Sequence, residues 1–404
     1  ELKELGKSRQ GHPIYGLKIG DGPHNAIMFA CPHPNEPMGA MMLDYFSRKL
    51  AEDEELRKEL NYTWYLIKSI DVDGTKLNEG WFKGPFTLRN YTHDYFRPAG
   101  YEQAEWTFPL EYKNYKFDTP IPETQILMDL IDKTKPLFLY SLHNSGFGGT
   151  YWYVGKEMPE IWDKLYEANR KQGLPLHLGE PEVNYAKAYA PAIFPFIEQD
   201  KAYDYYEKYS DEPPEELMSA GNSSSAYAAQ YGTVSLVTEL PYFYDPRIES
   251  EKELDFTRGE AAKKNAEMNY ALDKEMDKLY SQIKDYVSDD NPHVKMVAIS
   301  LKNYQEHYES KLSFIEGNEM YDEPCKESEA FDNLELPKFY SLFYWTLLRR
   351  SCEHELAKGD VPGKETLQKV YDIADERFEK IAADVEESFD YVVIPIKKLV
   401  SVQL

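Results

Sequence analysis

Residues 25–39 read NAIMFACPHPNEPMG, and this stretch decides the fold. An apolar, uncharged run ends at Cys31, a proline-rich turn carries His33 and Glu36, and a helix-like segment opens at Gly39. A strand apolar on both faces belongs inside a sheet that helices cover on each side. Short apolar runs recur at 14–19, 62–69, 137–142 and 234–239, alternating with helical patterns at 39–60, 122–133, 159–171 and 223–231. That alternation predicts an α/β fold, a mixed, partly parallel sheet flanked by helices, with functional groups at the strand ends.

Glycine and proline divide the 404 residues unevenly. Residues 1–250 hold 18 of 22 glycines and 20 of 25 prolines. Both residues break helices, so 251–404 is expected to be a mainly helical C-terminal extension of a catalytic domain at 1–250. Its helices are read at 251–287, 294–314, 338–356 and 364–389, broken at Asp290-Asn291-Pro292 and Gly359-Asp360-Val361-Pro362. The heptad-like stretch 268–287 reads first as a core seam and second as a surface for homo-oligomerisation.

The net charge of −25 repels phosphate backbones, so no nucleic-acid partner is expected. No run reaches the roughly 18 apolar residues of a membrane span. Cys31, Cys325 and Cys352 are too few for a disulfide framework and fit a reducing compartment, the cytoplasm. A chain that begins at Glu1 also leaves a removed signal peptide open. The 33 tyrosines have no explanation in composition.

His33 and Glu36, three apart at a strand exit, can turn an imidazole and a carboxylate toward one point, which suits zinc. Alone this spacing is common and weak. It gains weight from residues 135–149, KPLFLYSLHNSGFGG, where a second apolar strand ends in His143. Three such ligands leave a fourth position for water, the catalytic arrangement. In GTVSLVTELP, residues 232–241, Glu239 ends a strand otherwise free of charge, where it would serve as general base.

The ordered set resembles the zinc carboxypeptidase family, the carboxypeptidase A-like metallopeptidases and their deacylase relatives. Leu5-Gly6-Lys7-Ser8 with Gly11-His12-Pro13-Ile14 resembles its N-terminal signature, and Pro37-Met38-Gly39 continues its His-x-x-Glu turn. Asp71-Val72-Asp73-Gly74 is similar to its Asn-Pro-Asp-Gly segment, and Pro122-Glu123-Thr124 to the start of its central helix. Ser141-Leu142-His143-Asn144-Ser145 matches the third ligand, Gly221-Asn222-Ser223-Ser224-Ser225 the small-residue loop, and Thr238-Glu239 the catalytic carboxylate. The resemblance, over roughly residues 4–250, implies one Zn2+ per chain on His33, Glu36 and His143, with Glu239 as base. It implies hydrolysis of a C-terminal peptide bond, the substrate being a peptide or acylated amino acid. N-acyl amino acid deacylase or murein-peptide amidase is the alternative of the same chemistry, and a non-catalytic metal-binding scaffold the alternative of another class.

The family's Asn-Arg pair, which grips the substrate's terminal carboxylate, has no plain match. Residues 91–98, YTHDYFRP, resemble its region, with Arg97 the expected catalytic cation and His93 a substrate contact. Arg89 is a further substrate-binding candidate, and Lys83 a further cation nearby. Among the tyrosines flanking Glu239, Tyr242 is taken as a substrate-binding candidate beside Tyr227 and Tyr244. Tyr151 and Tyr153 read as one aromatic face, either core or cleft wall.

Overall fold

Eight strands form the central sheet: β1 (Leu2–Lys7), β2 (Pro13–Ile19), β3 (His24–Ala30), β4 (Tyr62–Ile67), β5 (Phe138–His143), β6 (Tyr151–Val154), β7 (Ile193–Pro195) and β8 (Val234–Glu239). Their order is β1-β2-β4-β3-β5-β8-β6-β7. The central run β4-β3-β5-β8 is parallel, β1 pairs antiparallel with β2, β2 with β4 and β6 with β8, and β6 and β7 run parallel. The computed structural model describes residues 1–404.

The two-faced apolar strand behaves as its sequence requires. Ile27 and Phe29 of β3 pack with Leu127 and Ile131 of α2 (Pro122–Thr134) on one face. Ala26, Met28 and Ala30 pack with Met42, Leu43 and Leu50 of α1 (Met38–Glu52) on the other. Gly39 permits this closeness, since a Cβ there would meet Leu142 Cβ at 2.5 Å. β3 pairs with β4 on one side and β5 on the other, so successive connections leave it in opposite directions. A crevice at the carboxyl ends of strands arises at such a switch point.

Beyond the sheet the chain is mainly helical, with α3 (Arg258–Ile283), α4 (Leu336–Leu356), α5 (Lys364–Ser388) and α6 (Ile396–Gln403) as its longer members or its end. These helices do not stand apart. One core cluster of 36 buried residues joins Trp81, Tyr91 and Phe243 to Phe339, Leu348, Phe378 and Leu399. Met276, Leu279 and Ile283 of α3 belong to it, so the heptad-like stretch forms an internal seam. No helix is long and apolar enough to cross a membrane.

Several boundaries differ from the sequence reading. The segment 39–60 is two helices, because the Asp53 carboxylate accepts Leu56 N–H and starts a second one at Glu54–Leu60. Asn303, at φ 57°, likewise splits 294–314. A strand, Glu253–Thr257, precedes α3 where helix was expected. β1 and the three-residue β7 carried too little alternation to be read at all.

Candidate active site

The parallel register sets Glu239 of β8 opposite His143 of β5, and Ala30 of β3 opposite Leu142 of β5. Three neighbouring strands therefore deliver their exits to one place. At the β3 exit Cys31 turns the backbone at φ 54°, and Glu36 N–H donates to His33 carbonyl at 3.1 Å. This folds His33 and Glu36 back over the strand end, both nearly fully buried. Tyr242 steadies the turn by donating its hydroxyl to Asn35 carbonyl at 3.0 Å.

His33 Nδ1 lies 3.0 Å from Glu36 Oε1, and His143 Nδ1 lies 3.2 Å from Glu36 Oε2 and 3.4 Å from Glu239 Oε1. The donor atoms of His33, Glu36 and His143 all lie within 4.8 Å of one another. His143 Nδ1 and His33 Nε2 are buried without a hydrogen-bond partner. A buried imidazole nitrogen left unpaired beside a carboxylate is a donor set awaiting a cation, so these residues fit a zinc ion.

The opposite edge of His143 is fixed. Its Nε2 meets Ser141 Oγ at 2.8 Å, and Ser141 Oγ donates to Glu105 Oε2 at 2.9 Å. Glu105 Oε1 accepts both Ser224 N–H and its hydroxyl. A carboxylate behind an imidazole fixes the tautomer that leaves the inward nitrogen free for a metal. Asn144 ties the strand exits together: its N–H donates to Glu36, its side-chain oxygen accepts Met38 N–H, and its amide donates to Leu240 carbonyl. Glu105 and Asn144 escaped the sequence reading.

Burial lowers the His33 imidazole to about 4; burial opposes the charged form of His143 as well, but hydrogen bonds to Glu105 and Glu36 raise it well above its ordinary value. Burial works against the charged form of Glu36 too, but His33 and His143 hold its carboxyl well below the usual range. Burial pushes the Glu239 carboxyl the other way, well above the carboxylate range, with Glu36 and Glu182 adding to the rise.

The remaining signature residues form scaffolding behind the site. Asp73 takes Ser8 Oγ, Gln10 N–H and His12 Nδ1, and Glu123 takes Arg9 through its N–H and Nε. Together these bonds lock the β1–β2 turn onto the helix Val72–Leu77 and the start of α2.

Arg97 enters the cleft, with Nη1 3.4 Å from Glu36 Oε1. Asn78 holds the preceding residue by two bonds to the Phe96 backbone, and Arg350 of α4 donates to the carbonyls of Leu77, Asp94 and Tyr95. Arg89, His93 and Tyr242 are not brought to the cleft. Arg89 points outward and pairs with Glu379 and Glu386 of α5. His93 pairs with Asp94 at 2.9 Å and packs edge-on against Phe378, because α5 covers that loop. Tyr242 is fully buried among Trp81, Phe86 and Tyr91. Lys83 is exposed and pairs with Glu79, and Tyr227 bonds to Asp132 on the outside.

The cleft is a cavity of about 630 Å3. The sheet side supplies the groups above with Tyr151, Tyr153 and Glu182, while the helical region supplies Met296, Ile299, Tyr340, Phe343, Tyr344 and Leu347. Arg97 is the one arginine or lysine among the lining residues, against the carboxylates of Glu36, Glu105, Glu182 and Glu239.

Residues 1–241 match the zinc carboxypeptidase family over more than half of the chain. The chain belongs to that family. Among solved members, carboxypeptidase A of Helicoverpa armigera is 17% identical, over 60% of this chain and 59% of its own, with a TM-score of 0.36. A metallo-carboxypeptidase of Burkholderia cenocepacia is 14% identical, over 60% and 55%, with a TM-score of 0.33. A murein-tripeptide amidase of Escherichia coli O157 is 17% identical, over 59% and 83%, with a TM-score of 0.30. The chain thus spans little more than half the length of the two carboxypeptidases. No curated protein matches it.

Proposed function

We propose that this protein is a zinc-dependent hydrolase that cleaves a terminal amide of a small peptide or acylated amino acid. The observation that carries the reading is the convergence of buried His33, Glu36 and His143 with Glu239 at three adjacent strand exits. His33, Glu36 and His143 would hold the ion, which supplies Lewis acidity that acidifies a water and polarises the amide carbonyl. Glu239 removes a proton from that water as its oxygen bonds to the carbonyl carbon. The carbon–nitrogen bond then breaks, and Glu239 passes the proton to the departing nitrogen. Arg97, held by Asn78 and Arg350 through the neighbouring backbone, faces the oxygen that becomes anionic.

Within this chemistry an amidase reading, for a substrate with no free carboxylate beside the scissile amide, has a specific observation in its favour. A carboxypeptidase needs one cation for the substrate's α-carboxylate and another for the oxyanion, and the cleft offers only Arg97. A substrate gripped elsewhere needs one. The test is mass spectrometry of a mixed pool of peptides, acyl amino acids and murein peptides after incubation with the zinc-loaded full chain. Glu239→Gln is expected to keep one zinc per chain and to lose turnover by roughly 10^3-fold. Full activity of that variant removes Glu239 as the base, and release of single C-terminal residues selects the carboxypeptidase instead.

A further inference from the structure

Helix α6 is wedged between two cores. Leu399 and Val402 join the large cluster that contains Phe339 and Phe378, while Val400 packs against the cluster of Ala30, Cys31 and Leu142 behind the strand exits. On its flanks lie α1 and the helix Pro159–Gln172. The wedge carries Gln403, 2% exposed, to the end of β5. There its Nε2 donates to the His143 carbonyl at 3.0 Å, across 260 residues of sequence.

The way the amide faces follows from its partner, since a carbonyl can only accept. The other half, Gln403 Oε1, is buried and has no hydrogen-bond partner. An apolar side chain would fill the same space without desolvating an amide, so the N–H donor is what this position uses. β3 last pairs with β5 at Ala30 opposite Leu142, and Cys31 then turns the chain away one residue short of His143. Gln403 thus supplies a partner from outside the sheet just where the sheet loses a strand.

The group it holds is the peptide that links His143 to Asn144. The oxygen of that peptide accepts from Gln403, and its N–H donates to Glu36 Oε2 at 3.2 Å. One rigid plane therefore spans two of the three residues that fit zinc: His143 is attached to it, and Glu36 is bonded to it. A donor on the peptide oxygen polarises the unit and strengthens its N–H bond to the carboxylate. Ser141 and Glu105 fix the His143 ring, whereas Gln403 fixes the main chain from which that ring projects.

We infer that Gln403 is a positioning residue of the metal site, holding the His143–Asn144 peptide so that His143 and Glu36 present their donor atoms together. The inference rests on the zinc reading of His33, Glu36 and His143, and it makes α6 part of that site's support.

The test uses the full chain and two variants, Gln403→Met and Gln403→Leu, which keep apolar bulk at the position and remove the donor. Zinc affinity, measured by competition with a chelating dye, is expected to fall by roughly tenfold in each. The visible absorption bands of the Co2+-loaded variants should move from those of the Co2+-loaded parent, because the ligands relax around the ion. Both readings are taken where urea titration shows every metal-free chain fully folded. A general loss of stability leaves the affinity of a fully folded population unchanged, so a fall in affinity there reports local geometry. If one variant does not fold, the other decides. Zinc affinity and a cobalt spectrum equal to those of the parent overturn the assignment while the zinc reading stands. A parent chain that binds no zinc removes the zinc reading and this assignment with it.

Discussion

The two walls of the cleft are made by different means. The sheet wall takes its groups from the exits of β3, β5 and β8, where strand spacing of about 4.8 Å and parallel register bring them together. The helical wall, with Tyr340, Phe343, Tyr344 and Leu347 on α4, depends on packing against loops distant in sequence. Local chain geometry thus sets the chemistry, and tertiary packing sets access and the placement of Arg97. The division can be broken or sharpened by changing groups that serve one wall, both, or neither.

The largest effect is expected on the sheet wall. Glu105→Gln removes the carboxylate behind Ser141 and His143 while keeping its shape. Zinc affinity, measured by competition with a chelating dye, should fall by roughly 10- to 100-fold. Unchanged affinity would mean that strand register alone orients His143.

The same contrast explains what the sequence disclosed. His33, Glu36, His143 and Glu239 were legible because each ends or follows an apolar strand in which a polar group has no structural reason to sit. Family membership was legible for the same reason, since its signature is a string of such exits. Glu105 and Glu182 were not. Both lie in irregular connections without periodicity, and only the folded chain buries Glu105 behind His143 or sets two tyrosines under Glu182. Arg89 and His93 misled because they stand near Arg97 in sequence, while α5, nearly 300 residues on, draws them outward. Tyr242 sits close to the site but turns its hydroxyl to the backbone under Glu36. The helices of 251–404 read as amphipathic segments whatever they cover, so their role as a cleft wall left no local mark. The cleft absorbs Tyr91, Tyr95, Tyr151, Tyr153, Tyr340 and Tyr344, which accounts for part of the tyrosine excess.

A smaller effect is expected where the walls meet. Arg350 donates to three carbonyls of the segments flanking Arg97, and Thr346 and Arg349 hold Thr92 and His93 carbonyls in the same way. Arg350→Ala should leave zinc content intact and lower kcat by roughly tenfold, with KM changing less, because a loosened Arg97 acts after substrate is bound. A loss confined to KM would instead assign the helical wall to substrate binding alone.

The smallest effect belongs to a group far from the cleft. Glu355 at the end of α4 accepts Ser288 N–H and hydroxyl, the Asn291 amide and the Lys358 ammonium. Burial opposes its charge, yet these donors hold its carboxyl at about 2, below an ordinary 4.5. A depressed carboxyl stabilises the fold above its ordinary value and loses that contribution as pH falls from about 4.5 toward 2. Glu355→Gln should therefore cost about 1 kcal/mol in chemical denaturation at pH 7, with a deficit that shrinks across that acid window. Turnover at pH 7 should be unaltered, since Arg350 and the cleft-lining residues of α4 lie a turn or more before Glu355. A drop in kcat would show that stability of α4 as a whole, and not only the grip of Arg350, positions Arg97.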